Sequence, residues 1–279
     1  MSETVYQPNI SESLPKSLSS IKYSLTYTNS VIDPNKDRID PPHIHGSVEI
    51  FLNVCGKKSF WVDNKLYELH DGDVIVALPN EIHVCVFEKP VRQKYFCLWI
   101  NSEDNDALIK NFSGNFTSRL FTFGKDKDEI TELFYTLYSS SYSDKNELTR
   151  SCALFRILTI IANAGNEKTE RIVDLPVTLV DILKYIDDNY QEIESVSEVA
   201  KRFFISVPTL NRLFEKYVHI TPHKFIESKK LAYAATLLSD GASVTYAGEA
   251  AGFSDCSHFI LKFKEKFGVT PKKIKQKKQ

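Results

Sequence analysis

The stretch PPHIHGSVEIFLNVCG, residues 41–56, brings His43, His45 and Glu49 close together. Two imidazoles and a carboxylate are donors that Fe, Mn or Zn accept. The same groups can instead hydrogen-bond a polar ligand or one another. A second set of chemically suggestive side chains lies far along the chain, in VPTLNRLF, where Asn211 and Arg212 stand side by side. Asn and Arg are the side chains that make paired hydrogen bonds to adenine and guanine edges. One end of the chain therefore points to a metal or a small molecule, and the other to nucleic acid.

Composition narrows these classes. The length of 279 residues suits two domains, and 42% hydrophobic with 25% charged residues is the balance of a folded globular chain rather than a disordered one. No apolar run approaches the roughly 20 residues that cross a bilayer. The start, MSETVYQPNISES, lacks the basic and apolar segments of a secretion signal, so the chain is read as cytoplasmic with no membrane partner. Cys55, Cys85, Cys97, Cys152 and Cys256 show no CxxC spacing and are read as reduced thiols. The net charge of −1 hides an asymmetry: residues 195–279 carry 15 Lys+Arg against 7 Asp+Glu, and the remainder carries 20 against 29. An acidic module is joined to a basic one, and the basic one expects a polyanion.

The elements that must position these groups follow from periodicity. SVEIFLNV, KSFWVD, DVIVAL and QKYFCLWI are β-branched and aromatic runs broken by NVCGKK, DNK, HDGD and LPNE, which predicts an all-β sandwich or barrel. After Gly124 the apolar spacing becomes helical, with Leu133, Phe134 and Leu137 on one segment and Leu154, Ile157, Leu158 and Ile161 on the next. NAGNEKTERIVDLP, 163–176, is the linker candidate, and helix is expected beyond it.

The helical module repeats weakly at an offset of 49 residues, LNRLFEKYVHITPHKF (210–225) over FILKFKEKFGVTPKKI (259–274). Each Thr-Pro suits a helix start, and each copy is preceded by a short turn and a cap, FFIS and GFSD. Helix, short turn, helix is the helix-turn-helix arrangement, here present twice. Phe259, Phe263 and Phe267 form one apolar stripe of the second copy, with Ser254 or Asp255 as its cap, while Leu210 and Phe214 are the buried pair of the first.

VSEVAKRFFISVPTLNRLFEKY, TPHKFIESKKLAYAATLL and GFSDCSHFILKFKEKFGVTP together resemble the AraC/XylS family of bacterial transcription regulators. The resemblance implies two helix-turn-helix units joined by a linker helix over 221–239, with recognition helices in successive major grooves about 34 Å apart. By position, Pro208, Thr209, Asn211 and Arg212 would read the first groove, and Cys256, Ser257, His258, Ile260, Leu261 and Lys262 would approach the second. Four residues depart from the family pattern: Phe204 stands where a small or left-handed residue is usual, His219 where a glycine is, Gly248 where a helix alanine is, and Leu261 where Arg is common. Leu261 cannot bond guanine, so the second unit is expected to read thymine methyls or shape, with Lys262 and Lys264 on phosphates.

The stretch around His43, continued by GDVIVALPNEIH to His83, is similar to the two signatures of the cupin barrel. That likeness implies that two His, a Glu and a further His can hold a metal in cupin enzymes, or that the same scaffold serves as a sensor pocket. The reading adopted is a sensor without metal or other cofactor, in which His43, His45, Glu49, His83 and Trp99 contact a small effector, with a sugar as the guessed class. A metal-holding sensor, a cupin metalloenzyme fused to a helical module, and a regulator with no effector stay open. Arg38 is either a pocket residue or a loop charge. The expected fold is a two-domain α+β chain: a cupin-like sensor barrel over 20–122, a helical pair over 123–165 serving as a dimer element or as cover, a linker over 166–176 and a tandem helix-turn-helix domain over 177–279. The expected function is a sequence-specific, non-enzymatic regulator of the activator type, with double-stranded DNA, a small effector, RNA polymerase and a second copy of the chain as partners.

Overall fold

A computed structural model describes residues 21–37, 40, 42–114, 116–140, 147–164 and 171–276. Arg38, residues 166–170 of the predicted linker and the last three residues of the lysine-rich tail lie outside these. Contacts group the chain into two compact units, a β-rich one built on 46–79 and 85–173 and a largely helical one built from residue 174 onward together with the short segments 41–45 and 80–84.

In the β-rich unit, β1 (Tyr23–Ile32), β2 (Ser47–Cys55), β5 (Asp73–Ala77), β7 (Val91–Asn101) and β8 (Leu120–Phe121) form one sheet in the order β1-β7-β2-β5-β8. The strands β3 (Lys58–Val62), β4 (Lys65–Leu69) and β6 (His83–Val86) form another, in the order β4-β3-β6. Asp63 and Asn64, both at positive φ (51° and 56°), make the tight turn between β3 and β4 that DNK had marked as a break. The larger sheet is apolar on both faces, which is why its strands read as continuous hydrophobic runs. Val48, Ile50 and Leu52 of β2 and Phe96, Leu98 and Ile100 of β7 pack under α2 (Lys127–Ser140) and α3 (Glu147–Ala164), with Phe134, Leu137, Leu154, Ile157 and Ile161 above them. The alternate residues Phe51, Ile75 and Cys97 face Phe60, Val62, Tyr67 and Leu69 of the smaller sheet and fill the space between.

Two features were not anticipated. The helix α1 (Ser102–Ser113) follows β7 directly, and Ile109 and Phe112 tuck into the helix-side core. In addition, residues 171–173 of the segment read as linker pair with β4: Glu68 N bonds Arg171 O (2.9 Å), Val173 N bonds Leu66 O (2.7 Å), and Arg171 pairs with Asp73. Main-chain pairing at an exposed strand edge leaves little trace in side-chain type.

The helical unit comprises α4 (Val177–Asn189), α5 (Val196–Arg202), α6 (Val207–Tyr217), α7 (Pro222–Ser239), α8 (Val244–Ala250), α9 (Cys256–Phe267) and α10 (Pro271–Gln276). The expected linker helix is α7, capped by Thr221, whose hydroxyl accepts from Lys224 N (3.3 Å).

Lys58 is an unexpected occupant of the β-rich interior. It is 3% exposed; its ammonium donates to Gln93 Oε1 (3.0 Å) and lies 4.8 Å from the centre of the Tyr95 ring and 5.3 Å from that of Phe51. Burial pushes its pKa down from 10.5 to about 8. The unfolded chain therefore holds the extra proton between these values, and stability rises with pH across that window. At about 1.4 kcal/mol per pH unit this amounts to roughly 3 kcal/mol, an order-of-magnitude figure. Urea unfolding of the parent and of Lys58→Met at pH 8 and pH 10.5 is expected to show the rise in the parent and its loss in the variant.

Candidate functional site

In the first helix-turn-helix unit Ser195 caps α5, its hydroxyl accepting from Glu198 N (3.2 Å), and Ser206 caps α6, accepting from Thr209 N (3.2 Å). Between them Phe204 takes the left-handed conformation (φ 54°) and is 98% exposed. Leu210 and Phe214 are fully buried, with the Phe214 ring 5.5 Å from that of Phe225 on α7. That anchoring turns Pro208, Asn211 and Arg212 outward, all exposed. Thr209 is half-buried and also bonds the Ser206 hydroxyl (2.8 Å), so it belongs to the cap as much as to the outer face.

The second unit repeats the construction. Ser243 caps α8 by accepting from Tyr246 N (3.1 Å), and Asp255, rather than Ser254, caps α9 by accepting from His258 N (2.6 Å). Left-handed Gly252 (φ 82°) stands 48 residues after Phe204, whereas the recognition caps Ser206 and Asp255 are 49 apart, so the second turn is one residue longer. Gly248 now has a reason beyond its helix cost: a Cβ there would lie 2.8 Å from the Phe259 ring. Phe259 and Phe263 are fully buried, leaving Cys256, Ser257, His258, Ile260 and Leu261 exposed, the last at 56%. Lys262 behaves differently. Its ammonium bonds Glu265 (3.1 Å) and approaches Glu227 (3.9 Å), and those two carboxylates raise its pKa. Exposed Lys264 is the better placed cation for a phosphate.

A lysine that sequence reasoning passed over joins the two units. Lys230 of α7 donates to Ile193 O, just ahead of α5, and to Gly252 O, in the second turn, each at 3.0 Å. At the same junction a Cβ on Gly252 would fall 1.9 Å from Gln191 O, so the two copies meet backbone to backbone where only glycine fits. The available signal was a lysine inside a helix whose neighbours Ser228, Leu231, Ala232, Ala234 and Ala235 are buried.

In the β-rich unit Tyr95, Cys97 and Trp99 alternate along β7 and all three join the core between the sheets. The expected polar group also converges. His43 and His83 exchange backbone hydrogen bonds (3.1 and 3.0 Å), and the ligand atoms of His43, His45, Glu49 and His83 all lie within 4.8 Å of one another. His83 is fully buried and Glu49 is 5% exposed. Trp99 Nε1 donates to Glu49 Oε2 (2.6 Å), and His83 Nδ1 lies 2.8 Å from Glu81 O. Three imidazoles and one carboxylate are donors that a divalent transition ion accepts.

Near Lys58 lies a cavity of about 330 Å³ lined by Lys57, Ser59, Glu88 and Val173 among others. Sequence reading missed it, although the alternation Lys58, Phe60, Val62 on β3 already implied an inward lysine.

Comparison with known proteins agrees with this division. A family model described as an AraC-like ligand binding domain matches residues 31–158, and one described as a helix-turn-helix domain matches 199–277. The chain is 30% identical over 246 residues to the HTH-type transcriptional activator RhaS of Escherichia fergusonii, covering 85% of this chain and 87% of that one. It is 28% identical over 257 residues to the thermoregulatory protein LcrF of Yersinia pestis, with 81% and 88% covered. Among solved structures, ToxT of Vibrio cholerae aligns over 92% of this chain and 98% of its own at 14% identity and a TM-score of 0.38.

Hydrogen bonds from a charged donor are each worth about 1.5–3 kcal/mol. Lys230→Met is therefore expected to destabilise the helical unit by roughly 2–3 kcal/mol in urea unfolding, and Lys230→Arg to recover part of the loss.

Proposed function

Because this chain belongs to the AraC family of transcription regulators, we propose that it binds double-stranded DNA sequence-specifically, activates transcription and answers to a ligand held in its β-rich unit. The observation that carries the proposal is the paired construction of α6 and α9. Each helix is capped, buries one apolar ridge and leaves the opposite face exposed. With the copies tied through Lys230, the reading has the two helices enter successive major grooves, which recur about every 34 Å along B-DNA.

Pro208, Asn211 and Arg212 supply the first reading surface, with Thr209 at its edge. Cys256, Ser257, His258, Ile260 and Leu261 supply the second. Exposed Leu261 and Ile260 favour thymine methyls and groove shape over guanine bonds, and Lys264 supplies phosphate contact with Lys262 beside it. The excess of cations from residue 195 onward adds a sequence-independent attraction that weakens with salt. The chain works by binding rather than catalysis, in the cytoplasm where DNA and RNA polymerase are met. No helix among the described residues is long and apolar enough to cross a membrane. Exposed Leu148 and Phe155 on α3 leave an apolar outer face that suits pairing with a second copy.

Ligand control requires a ligand that binds one arrangement of the protein better than another. Selection of bound fragments from genomic DNA gives the operator, and DNA affinity with and without candidate effectors tests control. Arg212→Ala is expected to cost about 1–3 kcal/mol of DNA affinity and to relax preference at one base pair. An equal loss on every sequence would reduce Arg212 to a phosphate contact.

A further inference from the structure

Three lysines alternate along α9 in the run KFKEK, and their surroundings differ. We infer that Glu227 and Ser228 of α7 hold Lys262 and Lys266 away from DNA, leaving Lys264 as the phosphate-binding lysine of the second recognition helix. The inference rests on the reading of α9 as a DNA-binding helix and adds the residue that limits its charge. Glu227 is then a positioning residue, acting on DNA affinity through Lys262 without touching DNA itself.

Helical geometry sets up the division. Lys262 and Lys266 are four apart and share one flank of α9, whereas Lys264, two residues from each, lies about 200° further round the axis. Lys264 instead continues the stripe of Ser257, Ile260 and Leu261, at spacings of three and four, and all four residues are exposed. The surface offered to a groove therefore carries one lysine, and the other two face sideways.

On that sideways flank α7 supplies the acceptors. Lys262 Nζ lies 3.9 Å from Glu227 and 3.1 Å from Glu265 of its own helix, and Lys266 Nζ donates to Ser228 Oγ at 3.2 Å. The Glu227 side chain is only 19% exposed and Ser228 is buried, so these acceptors are fixed by packing rather than swept by water. Burial pulls the Lys266 pKa down while the Glu227 charge opposes it, so one carboxylate acts on both ammonium groups. Charge pairs on an open surface hold little, but a partly buried partner is screened less and holds more. A lysine on a phosphate strengthens binding to every sequence alike, because phosphates carry no base identity. Tying two lysines back thus keeps down the sequence-independent attraction of α9.

Salt dependence counts the phosphates engaged. Each one neutralised adds about 0.9 to the slope of log affinity against log salt, roughly a further 3-fold loss of affinity between 50 and 200 mM salt. Full-length protein is titrated across that range with a duplex recovered from the genomic selection and with a scrambled duplex of equal length. Lys264→Met is expected to lower the slope by about 0.9, and Lys262→Met to leave it at the parent value. Glu227→Gln, which keeps the shape and removes the charge, is expected to raise the slope by about 0.9 and to tighten both duplexes by the same factor. Adding Lys262→Met to Glu227→Gln is expected to restore the parent slope, since the released ammonium is the cause. A drop of about 0.9 in Lys262→Met alone overturns the inference, because Lys262 is then a standing phosphate contact. A steep slope that persists in the double variant also overturns it, by reducing Glu227 to a charge that repels DNA. An unchanged slope in Lys264→Met does the same for the role of Lys264. Failure of the parent to bind either duplex at any salt concentration removes instead the reading of α9 as a DNA-binding helix.

Discussion

A single helix, α7, has to bury two recognition helices at once, and the rest of the helical unit is arranged around that demand. Phe225 receives the Phe214 ring at one end, while Leu231, Ala234, Ala235 and Leu238 pack with Phe259 and Phe263 further along. Each fully buried phenylalanine is worth about 1.5–3 kcal/mol, so neither helix can turn its ridge outward without a large loss. Burial of the ridges fixes which edges of α6 and α9 remain exposed. Lys230 then fixes where the copies sit, because its ammonium bonds a carbonyl from each. Such a strut is stiff for two reasons: charged hydrogen bonds are strong, and Gly252 allows no slack against Gln191.

The β-rich unit solves a different problem. Its larger sheet has two apolar faces, one closed by α2 and α3 and the other by the smaller sheet. Between the sheets lies an aromatic core that includes Phe51, Phe60 and Tyr67, and Lys58 is buried against aromatic rings beside a cavity. The sequence reading had assigned one effector pocket, because histidines draw attention and a lone lysine on a strand does not.

Much of the fold was legible because local chemistry and tertiary demand coincide. β-branched and aromatic runs marked β2, β3, β5 and β7, and the helical spacing of Leu154, Ile157 and Ile161 marked α3. Thr-Pro and Ser caps marked the helix starts, since unpaired amides at a helix N-terminus need an acceptor at a defined position. Phe204 was singled out as ill-suited to its turn, and it does take positive φ. The helix α1 escaped notice because SEDNDALIKNFS carries few apolar residues, and the pairing of 171–173 with β4 escaped because it is made by backbone atoms.

By itself the sequence determined the order of modules, the doubled helix-turn-helix, its caps, its buried ridges and the candidates for reading DNA. These depend on near neighbours, whose periodicity and capping chemistry are written in residue type. Tertiary structure decided which of those candidates stay exposed, drew Lys262 toward Glu265 and Glu227, and gave Gly248 and Gly252 their partners in Phe259 and Gln191. It also closed His43, His45, Glu49 and His83 into one cluster and placed Lys230 between two distant carbonyls. Those outcomes turn on ångström distances between segments far apart in the chain, and spacing along the sequence does not encode them.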